Sequence, residues 1–389
     1  KEIAPQVGKI ITNEQPEMPK DGDWGRTDMR WSLTLFGTAV GAGILYLPVT
    51  MSMGGIWALI FMSLFIFPMT YLSHRALCRV ILASDRPDGD ITEAVEDHFG
   101  KGAGFGITLI YFLAIYSTCL VYAVGITNEF NSFLSNILNI HELPRWLLSF
   151  VLIAGMTVIV LFGTNVMTRV SSLLVFPLIT LLFTLSVLGI PYWKTAAFQV
   201  WPDPAHFISA VLMGIPVLVF AMKFSPIIST FAVSYRRNIS DPGVLDRKTS
   251  RVIRVNSLML FVFVMFFVFS VCLALAPERL EDAFHKNISA MAVIAGLDNL
   301  MYIPIMAVFI AIAAIVSSYF GHLAGSREGL NGLIVKWLRR HEKNRKLNMK
   351  AIDRTTIVLH VVSMWVVAGF NITIVDVISA FTAPFIAII

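Results

Sequence analysis

Three glycines fall within seven residues at Gly37-Thr38-Ala39-Val40-Gly41-Ala42-Gly43, inside an apolar run that starts near Trp31 and passes through Pro48. A glycine in a helix costs about 1 kcal/mol relative to alanine, so three in one apolar segment need a use. Gly37 and Gly41 have the spacing that lets a second helix approach closely. The alternative is a helix that opens here and offers its freed backbone groups to a solute or an ion. A second irregular stretch runs from Gly214-Ile-Pro216 through Phe220-Ala-Met222-Lys223-Phe224-Ser225-Pro226. Pro226 removes a backbone donor and clashes with the preceding turn, so the helix should break or kink. Lys223 lies roughly sixteen residues into the apolar block that begins at Phe207, near the middle of a bilayer at about 1.5 Å per residue. A lysine there costs about 2.5–3.5 kcal/mol on insertion. It therefore faces a functional cavity or forms a buried structural pair.

Other polar residues in apolar surroundings are fewer. Ser317-Ser318 either bond back to the preceding turn or coordinate a cation or water. Asp376, near the outer end of the last apolar run, is either solvated at an interface or part of an outer gate or proton site. Tyr111, Ile115, Thr118, Tyr122 and Gly125 share one helix face, as ordinary packing or as the lining of a cavity. Cys78, Cys119 and Cys272 are scattered, with no CxxC or Cys/His cluster, which speaks against disulfides and metal and for buried small hydrophobes. Gly100, Gly102, Gly104 and Gly106 lack the strand-to-helix setting of a nucleotide loop. No HExxH, GxSxG or paired intramembrane carboxylate is present, so neither an enzyme nor a cofactor is expected.

The elements that must position these residues are transmembrane helices. Hydrophobic residues make up 56% of the chain and charged residues 14%, with a mean hydropathy of +0.74. Soluble proteins carry about 25% charged residues, and a membrane span needs about 20 apolar ones. Ten blocks qualify, near 31–52, 56–77, 105–135, 145–163, 171–191, 207–233, 253–276, 302–324, 355–371 and 373–389. They predict an all-α polytopic domain over 30–389 preceded by a polar tail over 1–29. The alternating pattern of membrane barrels is absent, and no signal peptide is visible. The run ending at Ile389 lacks a polar cap, from which further C-terminal helix is expected. The first span is expected to end at Pro48, the second at His74-Arg75, and the fourth at Gly163-Thr164-Asn165, with the fifth starting after Arg169. A short amphipathic helix capped by Asp90 is expected between the second and third spans.

Basic residues orient the spans. With the N-terminus inside, 25 of the 30 lysines and arginines fall in the tail and the connections on that side, four fall on the other side, and Lys223 lies within the sixth span. That asymmetry predicts a cytoplasmic N-terminus. It also accounts for the net charge of +5 through anionic lipid, with no nucleic acid. The two spans with break signals are five apart. Two interrupted helices at matching positions of two five-helix halves point to a secondary transporter built from inverted repeats. The halves' helix N-termini would then face an anionic group such as a substrate carboxylate.

The run Trp31-Ser-Leu-Thr-Leu-Phe-Gly-Thr-Ala-Val-Gly-Ala-Gly-Ile-Leu-Tyr-Leu-Pro48 resembles the first helix of the hydroxy and aromatic amino-acid permeases, in their serine and threonine transporter branch. The resemblance continues at Phe67-Pro-Met-Thr-Tyr71, His74-Arg75, Asp90 to Gly100, Ile126-Thr-Asn128, Ser225 to Phe231, Asn287-Ile-Ser289, Gly321-His322 and Arg327 to Gly332. It implies the 5+5 inverted-repeat, leucine-transporter-type fold, and a multi-pass protein of the bacterial inner membrane that imports serine or threonine with protons. Substrate-binding positions carried over are Thr38, Ala39, Gly41, Ala42 and Gly43, then Tyr122, and Phe220, Met222, Lys223 and Ser225. Lys223, Ser317, Ser318 and Asp376 are the coupling candidates. The family pattern has a lysine in helix 8 where this chain has Ser317, and an asparagine where it has Lys223. A relocated ammonium could stand in place of a sodium ion, so sodium is not expected to be required. Aromatic or other neutral amino acids, including cysteine, are the alternative substrates. A channel or sensor on the same scaffold is the alternative function.

Overall fold

The computed structural model describes residues 23–52, 54–84, 91–136, 138–140, 143–162, 164–199, 201–295, 302–341, 348–377 and 385. Helix α1 (Arg26–Ala39) and α2 (Ala42–Ser52) form one bent span, with 54° between their axes. They are followed by α3 (Gly55–Leu82), α4 (Ile91–Asn136), α5 (Arg145–Leu161) and α6 (Thr164–Gly189). The sixth span is again two pieces, α7 (Pro204–Ala221) and α8 (Ile228–Arg236), joined by a 3₁₀ turn at Ser225–Ile227. Then come α9 (Pro242–Ala274), the short α10 (Pro277–His285) and α11 (Ala290–Ala295), α12 (Tyr302–His341), α13 (Met349–Gly369) and α14 (Ile374–Val377).

Among the described residues, seven helices are long and apolar enough to cross a membrane, eight with the α1–α2 pair, and α5 is a shorter apolar helix. Nine of the ten sequence blocks are thus accounted for. The tenth lies mostly outside the described residues. At the centre, α4 packs along α12, which also touches α1, α2 and α6, while α2 lies against α7 and α3 against α9.

Several boundaries differ from expectation. The first span runs through Pro48 to Ser52, because a membrane helix has no better place for its backbone groups than the helix itself. α3 continues past His74-Arg75 to Leu82, and His74 is buried rather than interfacial. α6 starts at Thr164, before Arg169. Asp90 lies outside the described residues, but a helix does begin at Ile91, and Gly100 bends it with φ +79 before the main run of α4. That left-handed backbone suits glycine.

One end of the bundle carries the charged connections. Arg79 makes a bidentate pair with Asp246, through Nε at 2.7 Å and Nη2 at 2.6 Å. Lys336 reaches Glu96 at 3.1 Å, and Arg327 pairs with Asp353. The second-to-third, sixth-to-seventh and eighth-to-ninth connections therefore gather at one end.

Candidate functional site

The first break begins where Val40 turns to an extended conformation, φ −76 and ψ 92, and its N–H bonds back to Phe36 O at 2.9 Å. None of the glycines here has a positive φ. They serve close approach instead. A Cβ on Gly41 would lie 2.7 Å from both Ser318 Oγ and Tyr122 Oη, and one on Gly43 would lie 2.6 Å from the Phe220 ring and 2.7 Å from Ala221 Cα. Packing and opening, the two readings of this stretch, are one arrangement. The helix opens, and its glycines let α7, α12 and the Tyr122 hydroxyl of α4 close in on the exposed backbone.

Ending α1 frees carbonyls of its last turn. Ser318 of α12 takes them, its hydroxyl 2.9 Å from Gly37 O and 2.8 Å from Val40 O. Ser317 bonds back to Ala314 O at 3.2 Å and lies 3.4 Å from Gly37 O. Tyr122 hydrogen-bonds Ser318 and sets its ring 6.1 Å from that of Phe220. Two carbonyls of the open turn and the two serine hydroxyls thus come together. Thr38 is buried, its hydroxyl donating to Thr34 O at 2.9 Å.

At the second break, Met222, Lys223 and Phe224 are non-helical and fully enclosed. Pro226 accounts for the break as expected, since its ring excludes the carbonyl four residues back, that of Met222, where the helix opens. It sits at the start of the 3₁₀ turn, where its missing N–H has no helical partner to lose. The Phe224 N–H donates to His74 Nε2 at 3.0 Å, and the two rings stack 3.7 Å apart. His74 Nδ1 lies 2.8 Å from Thr70 O. An N–H can only donate, so Nε2 is the bare nitrogen and the imidazole is neutral. Lys223 Nζ donates to Thr118 Oγ1 at 2.6 Å and lies 5.6 Å from the centre of the Phe220 ring. No described carboxylate lies within ion-pair distance of it. Its partner is instead a hydroxyl, on the face of α4 that also carries Tyr122.

The site is enclosed at both ends. At the charged end Asp28 is buried, accepting from Tyr235 Oη at 2.6 Å and from Gly25 N at 2.7 Å, with Lys248 Nζ 3.4 Å away. Trp31 packs edge-on to Phe231 beside it. At the opposite end Arg145 Nη2 reaches Asn128 Oδ1 at 2.7 Å and Asn371 Oδ1 at 2.9 Å, and its Nε reaches Ala368 O at 2.7 Å. Asn128 in turn donates to Asn287 O at 3.0 Å.

The structure therefore brings together Gly41, Gly43, Tyr122, Phe220 and Ser318, with Ser317 and Thr38 beside them and Met222 and Lys223 at the second break. Ser225 is half-buried in the 3₁₀ turn, and Ala39 is buried at the end of α1. The side chains of Ala42 and Asp376 lie outside the described residues. Three polar residues escaped the sequence reading. His74 was placed at a helix end. His322, whose Nε2 has no partner, sits edge-on to Tyr122 at 5.1 Å. Glu129 is buried near the outer end of α4. The stripe through Thr118, Tyr122 and Gly125 continues to Glu129 at the same spacing and could have revealed it.

Residues 28–378 match the tryptophan/tyrosine permease family. The serine transporter SdaC of Escherichia coli is 42% identical over 372 residues, covering 94% of this chain and 86% of that protein. The threonine/serine transporter TdcC of Escherichia fergusonii is 37% identical over 383 residues, with the same coverage. Among solved structures, MhsT in complex with L-phenylalanine superposes with a TM-score of 0.63 at 15% identity, covering 94% of this chain and 88% of that one. A mutant of the Eremococcus coleocola manganese transporter gives 0.64 at 13% identity, covering 98% and 80%. At such identities the likeness is one of fold.

Proposed function

This chain belongs to the tryptophan/tyrosine permease family, and on that premise we propose that it imports a small hydroxy amino acid, serine or threonine, in symport with protons. It is an amino-acid transporter and not an enzyme. The observation that carries the reading is the meeting of two helix breaks, Gly41–Gly43 against Phe220–Ala221, with the Tyr122 hydroxyl beside them. The start of α2 directs free N–H groups and a positive dipole end at this point. A substrate carboxylate fits there. The charged end faces the cytoplasm in this reading, and the Arg145 end faces outward. The names of SdaC and TdcC support serine and threonine as substrates.

Lys223 carries the coupling charge. It is enclosed, held by Thr118 without a counter-ion among the described residues, and sits in the non-helical backbone of the break. Protonation and deprotonation there would alter the packing of both halves of the sixth span. Lys223→Gln and Lys223→Met variants in proteoliposomes are expected to lose about tenfold or more of proton-driven serine accumulation, equivalent to about 1.4 kcal/mol of driving coupling. Full proton-driven uptake by both would refute the role.

A second reading of the coupling ion rests on the oxygens at the first break. Gly37 O and Val40 O with the Ser317 and Ser318 hydroxyls form an all-oxygen set of the type that suits a hard cation. Uptake in medium where choline replaces sodium separates the two. Undiminished, pH-dependent uptake supports the lysine, and loss of uptake supports the oxygen site.

A further inference from the structure

Glu129 lies on α4 seven residues beyond Tyr122, on the same face and about 10 Å closer to the outer end. Thr118, Tyr122, Gly125 and Glu129 make one stripe, with Lys223 at its inner end. Glu129 is 2% exposed, and its Oε1 has no hydrogen-bond partner. Its carboxyl bonds the Ser289 hydroxyl, which also accepts from Ala292 N at 3.1 Å. Across from it, on α2, the Tyr46 hydroxyl is likewise buried, beside Asn128 and near enough to sense the charge of Glu129.

The charged and titratable groups facing Glu129 from the surrounding elements do not neutralise it. From α2 comes the Tyr46 phenol. From α5 comes Arg145, engaged by Asn128, Asn371 and Ala368 O. The end of α10 carries His285 and Lys286, both exposed, the latter paired with Asp282 at 2.6 Å. On α14 stands Asp376, whose side chain lies outside the described residues. No described lysine, arginine or histidine comes within ion-pair distance of the Glu129 carboxyl. A buried carboxylate with a bare oxygen and no cation is strongly disfavoured, and such a group takes a proton instead. The outer closure formed by α2, α4, α5 and the Asn287–Ser289 segment therefore accommodates the neutral acid.

We infer that Glu129 is the proton-loading site at the outer end of the transporter. With α2 swung away, the carboxylate meets outside water. Hydronium gives up its proton, an O–H bond forms on the carboxyl, and one water molecule is released. Neutralisation then permits α2 to close over Glu129 with the amino acid bound beneath. Closure without the proton would bury a bare charge. Occlusion is thus made conditional on proton binding, which is what obliges the two solutes to move together. The inference rests on the proton-symport reading but not on the role of Lys223.

The test uses the purified full chain in proteoliposomes containing a pH-sensitive dye, with serine added outside, alongside serine–serine counterflow. The wild type is expected to acidify the lumen as serine enters. Glu129→Gln, which imitates the protonated acid, is expected to keep counterflow within about twofold of wild type, to lose the acidification, and to lose the dependence of uptake on outside pH. Acidification by Glu129→Gln at the wild-type proton-to-serine ratio overturns the inference and leaves proton symport standing. A Glu129→Gln protein that does not fold or does not counterflow also overturns it, since the closed state must accept the neutral group. Absence of acidification in the wild type overturns both readings together.

Discussion

A backbone N–H freed inside a membrane needs an acceptor, and at the second break that acceptor is His74 Nε2. The bond is 3.0 Å, and the imidazole lies flat on the Phe224 ring. His74 looked like the polar end of a helix because a histidine followed by an arginine usually marks the headgroup level. Its burial follows from a partner 150 residues away in sequence. Replacing it should show how much the break depends on it. His74→Leu leaves the Phe224 N–H without an acceptor, and a lost buried partner costs about 1–3 kcal/mol. The expected result is a lower thermal unfolding midpoint of the purified protein, with part of the loss restored by His74→Gln, whose side-chain oxygen can accept. An unchanged midpoint for His74→Leu would mean that another group takes over the N–H.

At the scale of elements, the bent α1–α2 span works because small residues stand where three neighbours converge. Gly41 meets two helices at once, with Ser318 Oγ and Tyr122 Oη both at 2.7 Å from an added Cβ. The same Ser318 hydroxyl caps Gly37 O and Val40 O. Gly41→Ala must therefore displace the cap as well as the tyrosine. Initial serine uptake is expected to fall by about tenfold or more, as would follow from some 1.4 kcal/mol of lost binding or closure energy. Gly102→Ala is the matched control. An added Cβ there meets nothing, and alanine favours the helix by about 1 kcal/mol, so uptake should stay near wild type. Equal rates for both variants would show that the open turn does not need its close contacts.

The whole molecule is closed at both ends, by different chemistry. The Arg145 end uses one arginine and a group of asparagines, with a buried acid beneath. The Asp28 end, proposed above as the inner one, uses a buried ion pair, Asp28 with Lys248, reinforced by Tyr235. Breaking a buried pair by removing one partner costs roughly 3–5 kcal/mol. Part of that cost is relieved if the end opens and Lys248 reaches water. Asp28→Asn is therefore expected to favour the inward-open form. A cysteine introduced as Phe231→Cys, beside Trp31, should react with a membrane-permeant maleimide about tenfold faster in the Asp28→Asn background, which corresponds to a shift of about 1.4 kcal/mol. Equal labelling rates would show that this pair does not hold the inner end shut.

What the sequence settled by itself is whatever is local along the chain. Span length, hydropathy, the glycines of 37–43, the irregular stretch before Pro226 and the sidedness of the basic residues are each written in one continuous segment. They suffice for a polytopic helical carrier with two interrupted helices. Only the tertiary structure decided which polar atoms meet. Ser318 caps a carbonyl 281 residues away, and Lys223 finds a hydroxyl 105 residues away. Glu129 comes to rest against Ser289 of a distant segment. In a membrane interior every polar group must be matched by protein rather than by water. The matching is fixed by how the helices pack across the bundle, and no spacing along one helix encodes it.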